Sequence, residues 1–142
     1  MNIVKRICLA VVAVGLVSCG GPKVQEFTLK PLGNQMKFMQ RELTAKAGVE
    51  IKLTLNNTST MQAMVHNVVI LEPGADADAI AKAALSAENN AVINDAVVTQ
   101  TSYLKPGESE TITFTITEPG RYEYICTYPG HYPAMKGVLI VE

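Results

Sequence analysis

One stretch near the C-terminus concentrates the side chains able to do chemistry: Cys126-Thr127-Tyr128-Pro129-Gly130-His131-Tyr132-Pro133-Ala134-Met135-Lys136-Gly137. It offers a thiol, an imidazole and a thioether, spaced Cys-x4-His-x3-Met. The chain has two histidines, and the second, His66, lies far upstream. Two imidazoles, one thiolate and a weak axial thioether are the donors that suit an ion moving between Cu(I) and Cu(II). Zinc fits less well, because structural zinc sites prefer four Cys or His ligands and a thioether binds zinc poorly. A cysteine nucleophile paired with His131 fits less well still, because no orienting third residue accompanies the pair.

Such a set works only if strands hold it. The segments Glu26–Leu29, Met36–Leu43, Val49–Leu55, Val68–Leu71, Thr111–Ile116, Arg121–Cys126 and Val138–Val141 alternate or are rich in β-branched residues. Between Thr111 and Ile116 the apolar positions recur at every second residue, the period of a half-buried strand. Lys46-Ala47-Gly48, Lys105-Pro106-Gly107 and Glu118-Pro119-Gly120 punctuate these runs as turns. Short strands between turns predict an all-β antiparallel sandwich or barrel. One alanine-rich insertion, from Ala75 to about Ser86, predicts a helical flap entered at Pro73-Gly74, with Asp76 and Asp78 favouring its N-terminus. Asn56-Asn57-Thr58 matches a glycosylation sequon and reads as a polar turn.

Length and composition agree with a single globular domain. The 142 residues are 48% hydrophobic, enough for one core, and contain no tryptophan, so aliphatic side chains must fill it. Basic and acidic residues number 12 and 13, with no basic block, which argues against nucleic acid as a partner. The first residues read as an export signal. Lys5 and Arg6 precede an uncharged apolar run, Ile7–Val17, shorter than the roughly 20 residues of a membrane span. The run ends at Leu16-Val17-Ser18-Cys19 and resembles the lipobox of bacterial lipoproteins. That resemblance implies a signal peptide over 1–18, a lipidated Cys19, a tether over 19–25 and a folded domain over 26–142. Cys8 would leave with the leader, making Cys126 the lone thiol of the domain; one cysteine makes no internal disulfide.

The ligand-rich loop resembles the copper loop of azurins and auracyanins, members of the cupredoxin family. Gly33-Asn34-Gln35-Met36-Lys37-Phe38, Met64-Val65-His66-Asn67-Val68-Val69 and Pro106-Gly107-Glu108-Ser109 resemble further segments of that family. The resemblance implies a Greek-key β-sandwich binding one type 1 copper ion. His66, Cys126 and His131 would be the equatorial ligands and Met135 the axial one. Asn67 and the Tyr128 amide would bond the Cys126 sulfur, and an Asn67–Thr127 contact would tie the two ligand loops together. An edge of the His131 ring would reach solvent inside an apolar patch of Met36, Met64, Tyr128, Pro129, Tyr132 and Pro133. Three positions depart from the pattern: Val65 replaces the glycine before the first histidine, Val68 replaces a core tryptophan, and the azurin disulfide is absent. The function implied is one-electron transfer, without enzymatic activity, by a monomer held by its lipid on the periplasmic side of a bacterial membrane. Its donor and acceptor would be redox proteins such as a c-type cytochrome or an oxidase. A copper carrier supplying an exported oxidase and a metal-free sandwich module are the rival readings.

Overall fold

The computed structural model describes residues 23–87 and 91–142. The expected export signal, Cys19 and the first part of the expected tether lie outside these residues. Eight strands and one helix follow in the order β1 (Gln25–Leu29), β2 (Glu42–Ala45), β3 (Glu50–Asn56), β4 (Val69–Leu71), α1 (Ala77–Ala84), β5 (Val97–Gln100), β6 (Ser109–Thr115), β7 (Gly120–Ile125) and β8 (Lys136–Val141). They form two sheets. The smaller has the order β1-β3-β6 and the larger β2-β8-β7-β4-β5, with β1–β3 and β2–β8 parallel and the other pairs antiparallel.

The alternation of the strands explains the layering. In β3, Ile51, Leu53 and Leu55 are buried between partly exposed residues, and in β6 Thr111, Thr113 and Thr115 face outward. Inward residues of both sheets make the main core, built on Leu29, Phe38, Ile51, Leu53, Leu55, Val68, Ile70, Tyr124 and Leu139. Strand β4 departs from alternation because it is covered on both sides. Ile70 joins the main core, while Val69 and Leu71 meet Ile80 and Ala84 of α1 and Ile125 of β7 on the outer face of the larger sheet. The flap therefore lies on the sandwich as expected, two residues shorter at each end than the alanine-rich run. Asp76 caps it, its carboxylate accepting from the Ala79 amide at 3.0 Å.

Three expectations need correction. The sandwich is mixed and not antiparallel throughout, because β1–β3 and β2–β8 pair in parallel. Met36–Leu43 is not one strand. The backbone folds on itself there, Leu32 N–H to Lys37 O at 2.8 Å and Lys37 N–H to Gln35 O at 2.8 Å, and only Phe38 reaches inward, bridging Pro31. The strand begins afterwards, at Glu42. Strand β5 has no counterpart among the segments expected to be strands. Its four residues are all half-buried, so its pairing with β4, not an apolar rhythm, defines it.

Candidate metal centre

Cys126 follows β7 directly and Lys136 opens β8, so the ligand loop is the connection of one hairpin, and its ends are held by that pairing. Gly130, at φ +83°, turns the chain back just before His131, a conformation that side-chain-bearing residues rarely adopt. Backbone bonds then close the loop: His131 N–H to Tyr128 O, Met135 N–H to His131 O and Cys126 N–H to Met135 O, each 3.0 Å. His66 enters from another loop. It forms a two-way bridge with Leu104, donating its amide at 3.0 Å and accepting at 2.8 Å.

These elements bring the predicted donors together. One ligand atom each from His66, Cys126 and His131 falls within 4.8 Å of the others. The Nδ1 atoms of the two histidines stand 3.1 Å apart, and Cys126 Sγ is 3.5 Å from His131 Nδ1. His66, Cys126 and Met135 are fully buried, and His131 is buried with 4% exposure. The environment keeps both imidazoles neutral. Burial, then the neighbouring His131 charge, lowers His66 to about 4, and burial lowers His131. Burial pushes the Cys126 thiol up to about 11, opposed by hydrogen bonding from the Asn67 and Tyr128 backbone amides. A thiolate here is costly without a cation beside it, while two imidazole nitrogens converge on the same point. The set fits a soft metal ion and little else.

Around this cluster Asn67 and Thr127 lock the two ligand loops. Asn67 Nδ2 donates to Thr127 Oγ1 at 2.9 Å, and the Thr127 amide donates to Asn67 Oδ1 at 2.8 Å, both residues being buried. Asn67→Ala removes both bonds and leaves a buried amide unpaired. The expected loss is about 2–4 kcal/mol of folding free energy, read by denaturant unfolding of the copper-free protein. Sequence reasoning missed Tyr103, whose hydroxyl donates to Thr127 O at 3.0 Å and whose ring meets Tyr128 edge-on at 5.3 Å. No motif surrounds Tyr103, so nothing local announced it.

Of the expected apolar patch, Met36 is 40% exposed, Pro129 and Pro133 are exposed, and Met64, Tyr128 and Tyr132 are half-buried. The Tyr128 ring lies 5.0 Å from that of His131. Val68 is fully buried in the main core, filling the position where the family resemblance implied tryptophan, and Cys126 is the free cysteine among the described residues.

A two-sheet sandwich that buries a His2Cys cluster and a methionine on one hairpin loop and one bridged histidine is a cupredoxin. The chain belongs to the plastocyanin/azurin family of copper-binding proteins, whose model matches residues 25–142. It is 36% identical over 130 residues to auracyanin-A of Chloroflexus aurantiacus, covering 88% of this chain and 78% of that one. To auracyanin-B of the same organism it is 34% identical, over 82% of this chain and 52% of that protein, so it spans about half of that relative. The solved structure of auracyanin A, described as a "blue" copper protein, superposes with a TM-score of 0.78 at 32% identity, over 84% of this chain and all of the other. Copper is the cofactor, and His66, Cys126, His131 and Met135 form an arrangement like a type 1 copper site.

Proposed function

We propose that His66, Cys126, His131 and Met135 would hold copper, and that the protein carries single electrons between redox partners. The bound ion supplies a Cu(I)/Cu(II) couple; everything else is the work of this chain. The observation that carries the reading is the convergence of buried donors from two loops tied to each other by Asn67 and Thr127. Loops so held change little between oxidation states, which favours rapid transfer. His131 is the ligand residue that retains exposure, so electrons leave by its edge, and Met36, Met64, Tyr128, Pro129, Tyr132 and Pro133 form a weakly charged surface suited to brief encounters. The partners are redox proteins such as a c-type cytochrome or an oxidase, and the carrier is a monomer with no reaction of its own.

Export to the periplasmic face of a bacterial membrane and lipidation at Cys19 complete the proposal. They rest on the basic, apolar and small-residue parts of residues 1–19 in the order export demands. Cys19→Ala should release the protein into the soluble fraction; a variant still pelleting with membranes contradicts the anchor.

Anaerobic mixing of the reduced copper form with an oxidised c-type cytochrome tests the function. The carrier reading expects the cytochrome to be reduced while copper stays on the protein. Copper passing to a chelating acceptor protein, with the cytochrome left oxidised, supports the rival role of copper delivery.

A further inference from the structure

The polar turn at Asn56-Asn57-Thr58 leads into a buried hydroxyl that the copper reading does not use. Ser59 is 5% exposed, and its Oγ lies 3.1 Å from the Gly33 carbonyl and 3.4 Å from Nε2 of the fully buried His66. We infer that Ser59 is a positioning residue, fixing His66 as the Nε2–H tautomer so that Nδ1 presents its lone pair to Cys126 and His131.

The assignment follows from counting protons. A carbonyl oxygen only accepts, so the single hydroxyl proton of Ser59 is committed to Gly33. Toward His66 the hydroxyl can then only accept, and Nε2 must carry the hydrogen. A neutral imidazole has one N–H, so Nδ1, 3.1 Å from His131 Nδ1, is left as the lone-pair acceptor. The backbone on either side of Ser59 is clamped to make this placement firm. Asn57, fully buried, accepts from the Ser59 amide at 3.2 Å and donates to the carbonyls of Met64 at 2.8 Å and Leu104 at 2.9 Å. Asn34 accepts from the amides of Thr60 at 2.8 Å and Met61 at 3.2 Å. The loop beside Gly33, the loop after β3 and the histidine are thus one hydrogen-bonded unit. A partner for the outer nitrogen of a ligating histidine sets ring orientation and ligand basicity.

The consequence for copper rests on the proposed function, but the tautomer does not, and the experiment separates them. In the copper-free full chain at neutral pH, 15N NMR of the histidine rings should show His66 protonated at Nε2, with that proton exchanging slowly with water. Ser59→Ala should speed its exchange by about tenfold or more, the loss of one buried hydrogen bond, and weaken copper binding about 10- to 100-fold in a chelator competition. Ser59→Thr, which keeps the hydroxyl, should restore both. A His66 ring protonated at Nδ1 in the wild-type protein overturns the inference whether or not the variants fold. Exchange of the His66 N–H unchanged in a folded Ser59→Ala overturns it as well. Failure of the copper reading has a different signature, a wild-type protein that takes up copper without intense visible colour.

Discussion

Cys126→Ser is expected to abolish the intense visible absorption of the copper-loaded protein. The band arises from charge transfer out of a soft, polarisable thiolate, and a serine hydroxyl is neither ionised at neutral pH nor soft. The site around Cys126 makes the effect complete. The sulfur is fully buried against His131 at 3.5 Å, with no other cysteine among the described residues to replace it. Folding should survive, because serine is close in size and the amides of Asn67 and Tyr128 that bond the sulfur can bond the hydroxyl. Absorption spectra of wild type and variant at equal copper loading decide the matter. A retained intense band in the variant removes Cys126 from the ligand set.

A large loss of folding stability is also expected from Gly137→Ala. A Cβ at Gly137 would lie 2.3 Å from both Cζ and Oη of Tyr124, far inside contact distance. Tyr124 cannot step aside. It is fully buried, edge-on to Phe38 at 5.4 Å, and its hydroxyl donates to the Gln40 carbonyl at 2.8 Å. Overpacking costs about 1–3 kcal/mol. Losing the hydroxyl bond adds about 1 kcal/mol, and replacing a strand glycine returns about 0.5–1 kcal/mol. The net expectation is a loss of about 1–3.5 kcal/mol, checked by chemical unfolding of the copper-free protein. Stability within about 0.5 kcal/mol of wild type, the range of an inconsequential surface change, would show that Tyr124 has room the packing does not give it.

Gly137 also shows where a sequence is silent. Nothing in its neighbours marks it as the residue that lets a tyrosine ring lie against the backbone of β8; that requires the Tyr124–Gly137 register. The ligands were legible for the opposite reason. Cys126, His131 and Met135 sit on one connection between two recognisable strands, so local spacing alone predicts their meeting. His66 was legible because the chain has just two histidines. The helix could be read from its alanines and from Asp76. Met36–Leu43 misled because Met36 and Phe38 alternate like a strand, while Gly33-Asn34 and the local backbone bonds fold the segment into a turn. Strand β5 and the residues Ser59 and Tyr103 depend on partners 7 to 31 positions away, such as His66 for Ser59 and Thr127 for Tyr103, and their own types carry no signal.

Titration of the copper-free protein with Cu(II), followed by visible absorption and then by stepwise addition of a reductant, bears most directly on the central claim. The account predicts an intense band that saturates at one copper per chain, bleaches with one electron equivalent, and returns on reoxidation with the copper still bound. Copper bound without that band, or released as the protein is reduced, would contradict an electron-carrying site formed by His66, Cys126, His131 and Met135.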